Sequence, residues 1–146
     1  MKILVLADTH NHLPARLPEL AAGSDEIWHL GDVCEPALLA EVHALGVPVT
    51  VVRGNCDAHR AWPLITDLTR HGVRFRLVHI PPTQVPENID MVLHGHTHVP
   101  RDERVGGVRF LNPGCVSRPN RGAPASVARL EISENREVTW QLIPLR

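Results

Sequence analysis

The chain has 146 residues, of which 43% are hydrophobic and 21% charged, a composition typical of one globular domain spanning residues 1–146. A formal net charge of −1, the lack of any basic block and only 3% aromatic residues argue against a nucleic-acid-binding surface. The three cysteines are far apart in sequence, which argues against a disulfide framework. No apolar run is long enough to span a membrane, and the N-terminal run is too short for a signal peptide. We therefore expect a cytoplasmic protein.

The first 57 residues alternate between short apolar runs and helical patterns. The apolar runs predict strands over residues 3–7, 26–30 and 47–53, and the apolar spacing between them predicts helices over residues 13–21 and 36–46. This alternation is typical of a parallel sheet. Because such sheets bind ligands at the carboxyl ends of their strands, the polar residues found there are candidates for function, namely Asp8, His10, Asp32 and Asn55.

The second half of the chain contains consecutive strand patterns instead. Strands are predicted over residues 64–69, 73–79, 89–93, 101–105, 108–111, 125–132 and 138–143. Residues 80–88 and 118–124 are predicted loops because they are rich in proline and polar residues. The change in pattern predicts two sheets within one domain rather than two domains.

Residues 91–100, with the sequence MVLHGHTHVP, carry the strongest local indication of a metal site. An apolar strand leads into Gly95, and His96 and His98 follow. Two imidazoles at this spacing can converge on one point, and imidazole is the commonest neutral ligand of first-row metals. With His79 and the strand-end residues, the candidate set holds two carboxylates, one amide and four imidazoles. Seven ligands are too many for one tetrahedral zinc ion and suit two adjacent ions that share a bridging carboxylate.

These motifs resemble those of the calcineurin-like metallophosphoesterases, and specifically the small, single-domain prokaryotic phosphodiesterases. The resemblance covers residues 3 to about 116, and its motifs occur in the order of the family. The residues that carry it are Asp8 with His10, Gly31-Asp32, Gly54-Asn55-Cys56-Asp57, His79, Gly95-His96-Thr97-His98 and Asn112-Pro113-Gly114. The resemblance implies an α/β fold, a four-layer α/β/β/α sandwich of two mixed β-sheets flanked by helices, with a dinuclear metal site at one edge.

The resemblance also implies roles for individual residues. One metal ion would be bound by Asp8, His10, Asp32 and His98, and a second by Asp32, Asn55, His79 and His96, with Asp32 as the bridge. Asn55, Asp32 and His98 are assigned to catalysis, and Asn55 and His10 to substrate binding. His12 and His59 are added as substrate-binding candidates from their places in this chain, next to His10 and in the segment after Asp57. We expect two divalent ions per chain, Mn²⁺ in preference to Fe, Zn, Ni or Co.

The chemistry of such an ion pair predicts a metal-dependent phosphohydrolase, most specifically a phosphodiesterase acting on a small-molecule diester. A solvent molecule that bridges two cations loses its proton near neutral pH, and this metal-bridging hydroxide would attack phosphorus in line with the leaving oxygen. Relatives with the motif Gly-Asn-His-Glu have a histidine that can protonate the leaving group, whereas this chain has Cys56 at that position. We therefore expect a preference for good leaving groups and for diesters over monoesters.

Two alternatives from other functional classes stay open. The first is a catalytically inactive scaffold of the same fold, such as the retromer subunit that resembles these phosphodiesterases, and the second is a metal-dependent binding module without turnover. Loss of metal ligands usually accompanies the scaffold role, and here all seven ligand types are present. Relatives often form dimers or tetramers, so a homo-oligomer is an expectation by analogy.

Some candidate residues also have purely structural interpretations. Asp8 and Asp32 could cap the helices that follow them, and Asn55 could be an ordinary turn residue. His29 and His94 lie inside predicted strands, so we interpret them as packed or hydrogen-bonded residues rather than ligands.

Overall fold

Two five-stranded β-sheets face each other across an apolar core in this computed structural model, which describes residues 1–146. The strands are β1 (Lys2–Leu6), β2 (Glu26–His29), β3 (Val49–Val51), β4 (Ile65–Arg70), β5 (Val73–Val78), β6 (Met91–Leu93), β7 (Arg101–Val105), β8 (Val108–Asn112), β9 (Ser126–Ile132) and β10 (Val138–Pro144). The helices are α1 (Leu17–Ala21) and α2 (Leu39–His43), the second preceded by a 3₁₀ helix at Pro36–Leu38. Neither α-helix has the length or the apolar composition of a membrane-spanning segment.

Both sheets are mixed, which confirms the predicted α/β sandwich. The first has the order β10-β9-β1-β2-β3, with β1, β2 and β3 parallel, β9 antiparallel to β1, and β10 antiparallel to β9. The second has the order β4-β5-β6-β8-β7, with β5, β6 and β8 parallel.

Strand β1 lies at the centre of the first sheet and is buried on both faces, as its continuous apolar run predicts. Ile3 and Val5 point into the space between the sheets, where Trp28 also packs. Leu4 and Leu6 point to the opposite face and pack in the apolar cluster that includes the buried residues of both helices. Since successive side chains of a strand alternate in direction, one strand contributes to both layers of the core.

The helices are shorter than predicted. Helix α1 begins only at Leu17, because Pro14 and Pro18 restrict the preceding backbone to turns and leave only one helical turn before Gly23. Strand β3 is also shorter than residues 47–53, since Pro48 has no N–H to donate to a sheet. Both helices flank the first sheet, and no helix follows His43, so the outer face of the second sheet packs against loop residues such as Ile89.

The parallel strands of both sheets end at a common edge of the sandwich. The Asp8 N–H donates to the Gly31 carbonyl at 3.0 Å, so the pairing of β1 with β2 continues beyond the strands. In the second sheet, the Gly95 N–H donates to the His79 carbonyl, also at 3.0 Å. The residues that follow these strands are therefore brought together, as the strand pattern predicts.

Candidate metal centre

Five of the seven predicted ligands have a left-handed backbone conformation, which residues other than glycine rarely adopt. Their φ angles are 56° for Asp8, 44° for His10, 58° for Asp32, 71° for His96 and 60° for His98. Such conformations cost energy and persist only where the surrounding structure enforces them, and they cluster at functional sites. In each case the strained residue lies just after a buried strand, so the turn redirects its side chain toward the common edge.

Two glycines provide the space that the buried carboxylates occupy. A Cβ atom on Gly95 would lie 2.8 Å from Oδ2 of Asp8, and one on Gly54 would overlap the carboxylate and backbone N of Asp32. Any larger residue at either position would displace a carboxylate. The glycines that precede His96 and Asn55 are therefore required by close packing.

Asp8 is fully buried and uses its two oxygens differently. Its Oδ2 accepts a hydrogen bond from the His96 N–H at 3.1 Å. Its Oδ1 has no hydrogen-bond partner, although it lies 3.3 Å from Nε2 of His98, 3.8 Å from Nε2 of His79 and 3.9 Å from Nε2 of His10. One oxygen is thus held by the backbone and the other faces three imidazoles.

Asp32 is arranged in the same way. Its Oδ1 accepts a hydrogen bond from the Cys56 N–H at 2.9 Å. Its Oδ2 lies 3.3 Å from Nε2 of His79 and 3.8 Å from Nε2 of His10. This oxygen therefore lies between an imidazole from the first sheet and one from the second, which is the position that a bridging ligand requires.

Hydrogen bonds to the backbone define the tautomers of two imidazoles. Nδ1 of His79 lies 2.8 Å from the Leu30 carbonyl, and Nδ1 of His98 lies 2.6 Å from the Arg118 carbonyl. Because a carbonyl can only accept, Nδ1 carries a proton in both rings, and Nε2 is the nitrogen that faces the carboxylates. Metal-binding histidines usually make this second hydrogen bond, which sets the orientation of the ring.

Asn55 and His96 lie together at the exposed side of the cluster. Oδ1 of Asn55 lies 3.1 Å from Nδ1 of His96, and the rings of His79 and His96 pack edge to face with centroids 5.2 Å apart. The structure therefore brings all seven predicted ligands to one place, four from the first sheet and three from the second.

The donor set fits divalent cations. Three buried atoms that face one another have no hydrogen-bond partner, Oδ1 of Asp8, Nε2 of His10 and Nε2 of His79. Two ligand atoms of one ion lie about 3 Å or more apart when each metal–ligand bond is about 2.0–2.2 Å long. The distances of 3.3–3.9 Å between the carboxylate oxygens and the imidazole nitrogens therefore suit coordination of a shared ion better than hydrogen bonding. Potential ligand groups are Asp8–His10–His98, Asp8–Asp32–His79 and His10–Asp32–Cys56.

The two carboxyl groups differ in acidity. Burial raises the pKa of Asp8 to about 6, although His79 and His98 act in the opposite direction. Burial also disfavours the charged form of Asp32, but the adjacent His79 imidazole and the hydrogen bond from the Cys56 N–H outweigh it and hold the pKa of Asp32 well below its usual range. Burial lowers the pKa of His10 and of His96, so these imidazoles favour the neutral form that binds metals.

Asp57 is a positioning residue to which we assigned no role from the sequence. Its Oδ2 accepts hydrogen bonds from the N–H groups of Asp32 at 2.8 Å and Gly54 at 2.7 Å, and its Oδ1 accepts one from the Cys34 N–H at 2.8 Å. It thereby joins the ends of β2 and β3. The only indication in the sequence is its place at the end of the motif Gly54-Asn55-Cys56-Asp57.

The turn after β8 holds the backbone of residues on both sheets that form the candidate centre. The Asp8 carbonyl accepts hydrogen bonds from the thiol of Cys115 at 3.3 Å and the hydroxyl of Ser117 at 3.1 Å. Nδ2 of Asn112 donates to the Gly95 carbonyl at 3.1 Å. The late Asn-Pro-Gly turn therefore positions both Asp8 and the stretch that contains His96 and His98.

Two predicted substrate-binding residues lie outside the ligand cluster. His12 is exposed and lines a separate cavity of about 260 Å³. His59 packs edge to face against Trp62, with ring centroids 4.8 Å apart, in the loop that follows Asn55. Their roles in substrate binding stay predictions.

The two histidines interpreted as structural are buried and hydrogen-bonded. Nε2 of His29 lies 3.0 Å from Oγ1 of Thr9, and its Nδ1 accepts from the Gly31 N–H at 3.1 Å. Nδ1 of His94 lies 3.0 Å from the Gly95 carbonyl. Burial lowers the pKa of His29 to about 3 and that of His94 to about 4, so both are neutral at pH 7.

Comparison with known proteins agrees with this geometry. Residues 1–135 match the sequence model of the calcineurin-like phosphoesterase superfamily domain. Phosphodiesterase YfcE of Escherichia coli (strain K12) is 33% identical over an alignment that covers 90% of this chain and 88% of that protein. The structure of YfcE, described as a phosphoesterase from E. coli, has a TM-score of 0.78 at 26% identity over all of both chains.

A second protein is similar in fold alone. Vps29 of Entamoeba histolytica, in a structure complexed with Zn²⁺, has a TM-score of 0.74 at 22% identity over all of both chains.

Proposed function

Since this chain belongs to the calcineurin-like phosphoesterase superfamily, whose relatives are hydrolases of phosphoric esters, we propose that it is a phosphodiesterase with a dinuclear metal centre. The observation that carries this proposal is the arrangement of Asp8 and Asp32. Each carboxylate has one oxygen held by a backbone N–H and one that faces imidazole nitrogens. Pairs of ions about 3.5–4 Å apart serve hydrolysis of phosphate esters in many enzymes.

The proposed ligand sets follow from proximity. Asp8, His10 and His98 would hold one ion, and Asn55, His79 and His96 would hold the other. Oδ2 of Asp32 would bridge them, because it faces both His10 and His79. We propose Mn²⁺, with Fe, Zn, Ni or Co as alternatives, since nitrogen and oxygen donors without a thiolate cluster accept all of these ions and availability decides among them.

Two bound divalent cations would supply Lewis acidity and lower the pKa of a solvent molecule that they share, which is the proposed source of the attacking hydroxide. Asn55 lies at the exposed side, where its amide can donate to a phosphate oxygen and orient the diester. Asp32 and His98 act in catalysis through the ions that they position, and His10 borders the same space.

The position that holds the leaving-group acid in some relatives has no imidazole in this chain. Cys56 occupies the position of that acid, and burial with the nearby Asp32 raises the pKa of its thiol to about 11. A thiol of that acidity is a poor proton donor at neutral pH. We therefore propose that substrates are diesters whose alcohol departs readily without protonation.

The inactive scaffold is less well supported, and the metal-dependent binding module differs from the enzyme only in lacking turnover. A scaffold without metal would need no free carboxylate oxygen facing three imidazoles, yet Oδ1 of Asp8 is buried without a hydrogen-bond partner. An unpaired buried polar atom costs stability, so its retention favours a role that uses it.

Hydrolysis of bis-p-nitrophenyl phosphate tests the proposed function. We expect metal-stripped protein to be inactive and Mn²⁺ to restore turnover, with the monoester p-nitrophenyl phosphate hydrolysed more slowly. Asn55→Ala should lower diester turnover by about 100-fold or more, because it removes a proposed ligand and phosphate contact. Asn135→Ala, in the exposed turn before β10, is the matched control and should leave turnover unchanged. Absence of turnover with every first-row metal, in folded and metal-loaded protein, would reject the enzyme in favour of the binding module or scaffold.

A further inference from the structure

An apolar cavity of about 400 Å³ opens beside the candidate metal centre. It shares Asn55 and His79 with that centre, and Leu64, Ile65 and Ile80 form its apolar wall. Leu64, Ile65 and Ile80 are 58%, 53% and 55% exposed, respectively. They are three of the four large hydrophobic residues that the chain exposes. A concentration of exposed apolar surface at one point indicates a binding site rather than random surface composition.

The wall of this cavity is attached directly to residues of the metal centre. The Arg53 N–H donates to the Pro63 carbonyl at 2.8 Å, which places the start of β4, and with it Leu64, beside the end of β3. Ile80 follows His79 in the chain. A phosphate bound at Asn55 would therefore have one substituent beside this apolar surface.

The cavity also contains an uncompensated positive charge. Arg76 is paired with Asp67, with Nη2 and Oδ2 2.7 Å apart. Arg53 lines the same cavity and the adjoining one at Asn55, and its guanidinium makes no ion pair or hydrogen bond. A free guanidinium beside the candidate phosphate position is suited to a phosphate oxygen.

We propose that this cavity is the subsite for one ester substituent of the substrate, and that it selects an aromatic or apolar alcohol. The proposal rests on the phosphodiesterase function proposed above and names its substrate class. Arg53 pairs with the charge of the diester, while Leu64, Ile65 and Ile80 cover the ring or chain attached to it. Diesters of two small polar alcohols leave the apolar wall in contact with water and bind more weakly.

Binding of two phosphonates to the Mn²⁺-loaded protein tests the subsite without depending on turnover. Phenylphosphonate and methylphosphonate have the same charged group and differ only in the substituent. We expect phenylphosphonate to bind about tenfold more tightly by isothermal titration calorimetry, because its ring is removed from water. The double variant Leu64→Ser/Ile80→Ser should bring the two dissociation constants to within about twofold of each other, since the serines remove the apolar wall.

Val85→Ser is the matched control, since Val85 is the fourth exposed hydrophobic residue, at 36%, and does not line the cavity. It should keep the native preference for the phenyl group. Arg53→Met should weaken binding of both phosphonates to a similar degree, because both share the charged group.

The outcomes separate this proposal from the proposed function. Diester turnover with equal affinity for the two phosphonates would overturn the subsite and leave the phosphodiesterase intact. Phenyl-selective binding that the double variant abolishes, in a protein without turnover, would support the cavity as a ligand site and overturn the enzyme. If light scattering shows that the double variant converts a dimer into a monomer, the apolar wall is a subunit contact and the subsite is overturned.

Discussion

Each buried carboxylate of the candidate centre has one oxygen held by a backbone N–H and one facing imidazoles. This division depends on the local backbone, because the donor to Asp8 comes from strained His96 and the donor to Asp32 comes from the turn after Gly54. Asp57 in turn holds the backbone of Asp32 and Gly54. The residues around the ligands are therefore as important to the geometry as the ligands themselves.

Asp57→Asn tests this positioning role. An amide cannot accept all three backbone N–H groups that the carboxylate accepts, so the ends of β2 and β3 should separate. We expect Mn²⁺ affinity, measured by isothermal titration calorimetry, to fall by about 10–100-fold. The free energy of unfolding should fall by about 1–3 kcal/mol.

Asp25→Asn is the matched control, because Asp25 also accepts a backbone N–H, from Lys2 at 2.7 Å, but on the exposed surface away from the site. Its Mn²⁺ affinity should be that of the native protein. An unchanged Mn²⁺ affinity in Asp57→Asn would show that Asp57 is not needed to hold the ligands in place.

Among the elements, the strands could be predicted from the sequence more fully than their connections. The buried run before Asp8 and the one before His96 are recognisable because apolar residues stop abruptly at polar ones. Helix α1 is shorter than its apolar spacing predicts, because Pro14 and Pro18 restrict the backbone.

The contacts that orient the ligands could not be predicted from local patterns. The hydrogen bond from His79 to the Leu30 carbonyl spans 49 positions, and that from the Asp32 N–H to Asp57 spans 25. They depend on how the two sheets and the neighbouring strands are packed, which local spacing does not encode. A family resemblance indicates the proposed ligands, whereas the fold is needed to find the residues that hold them in place.

Strand β2 carries a pH-dependent contribution to stability through His29. Burial lowers its pKa from 6.5 to about 3, so below pH 6.5 the unfolded chain binds a proton that the folded chain does not. Stability from this residue is therefore present above pH 6.5 and is lost as the pH falls toward 3. Between these two pKa values, each pH unit changes the free energy of unfolding by about 1.4 kcal/mol. We therefore expect the free energy of unfolding to fall by roughly 2 kcal/mol between pH 6.5 and 5.

Denaturant unfolding of metal-free protein at several pH values measures this effect. His29→Gln should reduce the loss, since glutamine does not titrate in this range, whereas His43→Gln, on the exposed face of α2, should retain it. The same pH dependence in the native protein and in His29→Gln would rule out His29 as its source.

At the scale of the whole molecule, the candidate centre joins the two sheets. Asp8, His10, Asp32 and Asn55 follow strands of the first sheet, and His79, His96 and His98 follow strands of the second. Bound ions would cross-link the sheets at the edge where their parallel strands end. The apolar core between the sheets and the metal centre at their edge would then stabilise the same arrangement.

Metal binding should consequently stabilise the fold. At Mn²⁺ concentrations about 100 times the dissociation constant, we expect the free energy of unfolding to rise by about 2.7 kcal/mol per site, and a chelator to reverse the rise. Differential scanning calorimetry measures the accompanying increase in Tm. Asp32→Asn should abolish the increase, while Asp102→Asn, a surface carboxylate paired with Arg109, should preserve it. A Tm independent of Mn²⁺ in the native protein would mean that the folded state does not bind the ion preferentially.

The measurement that tests the central claim most directly is a titration of metal-stripped protein with Mn²⁺, followed by turnover of bis-p-nitrophenyl phosphate. If Asp32 bridges two ions that act together, turnover reaches its maximum at two equivalents per chain and stays near zero in Asp32→Asn. A maximum at one equivalent, or turnover that Asp32→Asn leaves unchanged, would contradict a dinuclear centre bridged by Asp32.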